Sequence, residues 1–270
     1  MTTDLKRPVL GVLLAIAVTT TMDASGLSAF SALPLFPLMG VFWYIERLSR
    51  QSMGFVWGRW RHYGLAALYP VLVLGTVTLV SSLAGAVDLS HTNWRKAAIN
   101  LALVAVSTFL VVILTEEGFF RGWLWASLER TGRKPATALL WSSIAFALWH
   151  LSAVSLKTGF DLPAAQIPVF MVNAAVMGLI WGLLRRISGS VIVVSLSHGL
   201  WNGGAYVLFG FGTRVGALGI KDTPLFGPEV GFLGLALNIV FAAALWRWAG
   251  ARSQAPFEAN PSSAVHIAKR

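Results

Sequence analysis

The chain has 270 residues, of which 56% are hydrophobic and only 12% charged, with a mean hydropathy of +0.69. Soluble domains are roughly 45–50% apolar and about 25% charged, so an ordinary soluble enzyme, a nucleic-acid binder and a disordered scaffold are excluded. Lipid admits only helix bundles and closed barrels, and the apolar runs here are long and unbroken rather than alternating. An all-α, polytopic membrane helix bundle follows. The net charge of +10 and pI near 10.7 are then read as cytoplasmic anchors, with no nucleic-acid partner. The chain has no cysteine, which excludes disulfides, thiolate metal sites and a cysteine nucleophile.

Eight uncharged stretches have membrane-crossing length. They run approximately Pro8–Met22, Leu27–Ile45, Gly64–Val87, Ala97–Thr115, Pro135–Leu156, Leu162–Leu184, Ile187–Gly212 and Val230–Trp246. The first is short and ends at Asp23; with Lys6-Arg7 before it, it also has the form of a signal peptide, although no A-x-A site closes it. Between the second and third, Glu46–Tyr63 interleaves Phe55, Trp57 and Trp60 with Arg47, Arg50, Arg59 and Arg61. That segment reads either as a helix lying in the headgroups or as a plain basic loop. Trp43, Trp57, Trp60, Trp94, Trp246 and Trp248 stand near charged loops, where indole rings favour the interface. Residues 250–270 are polar and carry Pro256 and Pro261, the composition of a disordered cytoplasmic tail. This leaves 1–249 as the membrane domain. No internal repeat is evident, so the inverted repeats common in transporters are missing.

Basic residues divide unequally over the alternating loops. Sixteen of the 21 fall on the side of the termini, among them Arg47, Arg59, Arg133, Lys134, Arg186 and Arg252. The other side holds only Arg95, Lys96, Lys157, Arg214 and Lys221. The positive-inside rule therefore puts both termini in the cytoplasm, with the loops near His91, Gly159 and Lys221 outside. A multi-pass protein of a bacterial inner membrane is expected.

Ionisable groups are costly in lipid, so each one within a span is a functional candidate. Glu116, Glu117 and Arg121 follow the fourth run, His150 lies in the fifth, and His198 with Asn202 in the seventh. The turn Thr131–Lys134 makes an antiparallel hairpin of spans four and five. Glu116 lies sixteen residues before Gly132 and His150 eighteen after it. At about 1.5 Å per residue both stand roughly 25 Å from the turn, at one depth. Glu117 and Arg121 are i and i+4 with the acid first, the favoured order for an ion pair; His198 and Asn202 likewise share a helix face. Glu116, about 100° round the helix, is left as the reactive carboxylate. A carboxylate beside a histidine is suited to taking a proton from water, and His198 with Asn202 to donating to a developing oxyanion. The set describes hydrolysis of a peptide bond within the membrane. Taken singly, each piece has a plainer reading: a structural ion pair, or polar residues that join helices, as for Asn100, Asn173 and Asn238. His62, His91 and His266 are read as uninvolved.

The motifs Glu-Glu-x-x-x-Arg at 116–121, Phe-x-x-x-His at 146–150 and His-x-x-x-Asn at 198–202, in this order, resemble those of the CPBP (Abi) intramembrane proteases, which include the type II CAAX prenyl endopeptidases. The resemblance covers about Leu114 to Asn202, with the protease core placed at about 97–212. It implies eight helices and an endopeptidase in which Glu116 activates water with His150 as its partner. His198 and Asn202 would form the oxyanion side, Glu117 and Arg121 the supporting pair, with the site reached from the cytoplasm. The substrate does not transfer; a membrane-associated or lipidated protein or peptide is expected. Two rivals remain, a non-enzymatic immunity or scaffold protein that keeps the fold and a proton-coupled transporter. Zinc is the cofactor to weigh, since Glu116, His150 and His198 make a His₂Glu set. A metal-free mechanism is favoured, because no carboxylate is evident to orient the histidines.

Overall fold

The computed structural model describes residues 5–254; the polar segment read as a tail lies, but for its first five residues, outside them. Eight helical stretches among the described residues are long and apolar enough to cross a bilayer, and strand is almost absent. In chain order they comprise α1 (Lys6–Ala24), α2 (Leu35–Glu46), α4 (Trp60–Leu83), α5 (Trp94–Leu114) continued by α6 (Trp125–Arg130), α7 (Pro135–Trp149) with α8 (Leu151–Ser155), α9 (Ile167–Ser188), α10 (Val191–Gly204) and α12 (Phe232–Gln254). A single turn, α3 (Arg50–Met53), precedes α4, and another, α11 (Thr223–Phe226), precedes α12. The two-residue strands β1 (Gly210–Phe211) and β2 (Arg214–Val215) form an antiparallel hairpin after α10.

Local chemistry sets several of these ends. Asn93 and Ser190 accept from the amides of Lys96 and Val193, capping α5 and α10. Pro135 opens α7 at a position where its missing N–H costs nothing. Gly189, at φ 70°, closes α9 in the left-handed conformation, so Arg185 and Arg186 belong to the last turn of that helix and not to a loop. Of Glu46–Tyr63, only Glu46 at the end of α2, the single turn α3 and the start of α4 are helical, so no continuous surface helix lies there. Glu46 itself is buried, accepting from Trp123 Nε1 at 2.9 Å and from Ser127 Oγ at 2.9 Å.

Two interruptions shape the interior. At Thr115 the backbone leaves α5 with φ −101° and ψ −101°, and the Thr115 hydroxyl donates to the Val111 carbonyl at 2.9 Å. Such back-bonding bends helices. Residues Gly118–Leu124 then run as a wide-turned π-helix before α6. The second break falls at His150, between α7 and α8. α10 is central, packed on α5, α4 and α9. Its glycines allow close approach: a Cβ on Gly199 would stand 2.5 Å from the Ala105 carbonyl oxygen.

Candidate active site

The bend at Thr115 carries Glu116 and Glu117 into the bundle. Glu117 and Arg121, one turn apart, are fully buried and paired at 3.4 Å. Arg121 also donates to the Gly178 carbonyl at 3.2 Å and lies over the Phe146 ring, 4.3 Å from its centroid. Gly178 is small by necessity, since a Cβ there would come within 3.3 Å of the guanidinium and 3.1 Å of Ser143. Gly178 thus makes room for the arginine.

The helix break gives His150 its orientation. Its amide turns to the Ala147 carbonyl, leaving the Phe146 carbonyl facing the imidazole Nδ1 at 2.8 Å. With Nδ1 held by an acceptor, Nε2 is turned inward, 4.0 Å from Glu116 Oε2. His198 on α10 repeats the arrangement: Nδ1 faces Glu117 Oε1 at 2.8 Å, and Nε2 stands 3.9 Å from Glu116 Oε2. Its ring is stacked on Trp181 at 4.0 Å. Five of the six expected residues therefore form one continuous set, and Asn202, one turn beyond His198, lines the same cavity as the two imidazoles. The hairpin depth argument holds, since Glu116 and His150 do meet.

That cavity has a volume of about 400 Å³. Its lining includes His198, Trp181, Phe146, Asn202 and Tyr206 from the helices, together with Asp23, Thr158, Phe211, Arg214 and Glu229. Glu116 stands just outside the lining, next to both imidazoles, with 14% of its side chain exposed. Glu229 was not found from sequence. It follows Gly227-Pro228 in the loop before α12, where it reads as an ordinary flank, yet it is buried and accepts from Trp201 Nε1 at 2.8 Å. Burial pushes its carboxyl up to about 7, against the opposing pull of the Trp201 hydrogen bond and of His198. Asn173 donates to the Pro228 and Glu229 carbonyls and accepts from Asn238, which in turn accepts from the Tyr69 hydroxyl. The two asparagines thus join α9 to α12, as polar residues between membrane helices do.

The zinc question changes in one respect. A carboxylate does orient one of the histidines: Glu117 holds His198 Nδ1, and the Phe146 carbonyl serves His150. In kind, two Nε2 atoms and a carboxylate suit zinc. In spacing they suit it less. Zinc bonds of about 2.0–2.1 Å set tetrahedral ligands roughly 3.4 Å apart. A water making two hydrogen bonds of about 2.8 Å spans about 4.4 Å. The observed 3.9 and 4.0 Å are too wide for the ion as they stand. Among the described residues no group of three or more His, Cys, Asp or Glu has metal-holding spacing.

A family model, type II CAAX prenyl endopeptidase Rce1-like, matches residues 98–204. The matched segment contains all six residues and agrees with the resemblance read from the motifs. It supports a CAAX-type intramembrane protease in general and, with the eight apolar helices, an integral membrane protein. Comparison with curated proteins gives no match to the chain.

Proposed function

We propose that the protein is an intramembrane endopeptidase that hydrolyses a peptide bond of a membrane-associated polypeptide, using a water held between Glu116 and His150. The observation that carries this reading is the convergence of two imidazole Nε2 atoms, each fixed through its Nδ1, on one oxygen of Glu116. A water seated there donates one hydrogen to the Glu116 carboxylate and the other towards His150 Nε2. Glu116 takes the first proton as the water oxygen attacks the scissile carbonyl carbon. The carbonyl oxygen becomes an oxyanion, which His198 Nε2–H and the Asn202 amide stabilise. Glu117 holds the Nδ1 side of the same ring. When the tetrahedral species collapses, the C–N bond breaks and the proton held by Glu116 passes to the leaving amine.

The supporting pair has a positional task. Arg121, tied to Glu117 and to α9 through Gly178, keeps the Glu117 carboxylate aimed at His198. Both termini lie in the cytoplasm in this reading, on the charge distribution alone. The test compares cells carrying the native protein with cells carrying Glu116→Gln at equal abundance. New polypeptide termini in the membrane proteome that depend on Glu116 support hydrolysis. Identical proteomes, with the biological effect of the protein retained, point instead to a scaffold.

A further inference from the structure

The loop residues that line the cavity beside Glu116 all come from one end of the bundle. They include Asp23 and Ser28 at the α1–α2 junction, Thr158 after α8, Phe211 and Arg214 of the β-hairpin, and Glu229 before α12. All of these belong to the end of the bundle away from the termini. None of the lining comes from the opposite loops, 47–59, 131–134 or 189–190.

That opposite end is closed by hydrogen bonds. Glu46 accepts from Trp123 and Ser127, and its carbonyl accepts from Arg130. Arg185 ties the segment after α2 down, donating to the Ser52 carbonyl at 2.9 Å and to the Arg121 carbonyl at 3.1 Å. The Val191 amide closes on the Gly54 carbonyl at 2.9 Å. Among the described residues, thirteen of the nineteen lysines and arginines lie towards that end and five towards the other, with Arg121 in the interior.

We infer that the catalytic cavity opens on the extracytoplasmic face, and that its substrate is the external juxtamembrane segment of a membrane-anchored polypeptide. This rests on the hydrolytic reading above and sets aside the cytoplasmic access that the family resemblance implies. A lipidated carboxy terminus presented in the cytosol meets the sealed end, where the loop after α2 covers the approach to Arg121. A segment emerging on the other face meets a cavity of about 400 Å³, within the 300–1,000 Å³ range of ligand pockets and too small for a folded domain.

The absence of native cysteine makes the test direct. Ala29→Cys and Ala153→Cys, both in the cavity lining, and Gln51→Cys, exposed at the closed end, are introduced singly into the full chain. Each is treated with a membrane-impermeant maleimide in sealed spheroplasts and in inverted vesicles. Labelling of positions 29 and 153 from outside, and of 51 only in inverted vesicles, is expected. Labelling of 29 and 153 only from the cytoplasmic side overturns the inference. In a second arm, termini that depend on Glu116 are mapped by mass spectrometry and are expected in external segments. Their location in cytoplasmic segments also overturns it. Outside labelling with no termini that depend on Glu116 upholds the access route while refuting hydrolysis, so the two failures are distinct.

Discussion

Nδ1 of His198 stands 2.8 Å from Oε1 of Glu117, the same oxygen that faces Arg121 at 3.4 Å. One buried carboxylate thus serves an arginine on its own helical stretch and a histidine 81 positions away. The adjacent Glu116 instead faces the Nε2 atoms of His150 and of the same His198. Neighbours in sequence have separate tasks because successive residues on a helix point about 100° apart.

Glu116→Gln keeps the shape of the side chain and removes its ability to take a proton. Hydrolysis is expected to fall about 10²–10⁴-fold, the range lost with a general base. Abundance and melting temperature in detergent are expected to stay near those of the native protein, since a neutral amide is easier to bury than a carboxylate. Near-normal cleavage by this variant would place the base elsewhere.

Glu117→Gln is expected to behave otherwise, because it strands Arg121 as an unpaired buried charge. Breaking a buried pair typically costs about 3–5 kcal/mol, so melting temperature and abundance should both fall with the rate. Adding Arg121→Met removes the stranded charge and should restore much of the abundance. The rate should not return, because His198 still lacks the carboxylate that orients it. Melting curves and cleavage rates of the single and double variants check this. A stable but inactive Glu117→Gln would exchange the roles given to the two acids.

Spans and site differed in how far the sequence revealed them. The eight crossings were legible because lipid demands long apolar runs, and the meeting of Glu116 with His150 followed from counting residues out from one tight turn. The bend at Thr115 and the break at His150 were not legible. Neither has a proline; at Thr115 the hydroxyl shares the Val111 carbonyl with its own amide, and at His150 the imidazole takes the Phe146 carbonyl that the amide has left. Glu46 and Asp23 looked like span ends, but both are buried by partners distant in sequence, Trp123 and Ser127 for the one and Ser152 for the other. The direction in which the cavity opens depends on how four loops assemble, for which no local pattern exists.

The spacing around Glu116 bears on metal dependence. Oxygen and nitrogen atoms 3.9–4.0 Å apart stand wider than the ligands of a tetrahedral zinc ion. Active protein purified without added metal is therefore expected to keep its rate after dialysis against a chelator, and to lack zinc in stoichiometric amount. Loss of the rate to the chelator, with recovery on adding zinc, would assign Glu116, His150 and His198 as ligands.

Glu229 supplies a pH dependence that the six motif residues do not predict. Its carboxyl, held by Trp201 and lifted by burial to about 7 from an ordinary value of 4.5, favours the neutral form in the folded protein. Between about pH 4.5 and 7 the folded chain keeps this proton while the unfolded chain has lost it, so stability falls as pH rises across that window. Below the window the contribution is fully present; above it, both states are ionised and the cost of the buried charge stays constant. A shift of this size corresponds to an effect on the order of 3 kcal/mol, each pKa unit being about 1.4 kcal/mol. Glu229→Gln retains an oxygen to accept from Trp201 and carries no charge. It should melt close to the native protein near pH 5, higher than it near pH 8, and with a shallower dependence between them. Melting curves in one detergent across that range decide the matter. A variant that melts lower than the native protein at pH 8 would show that the ionised carboxylate is worth more to the fold, through Trp201 and His198, than its burial costs.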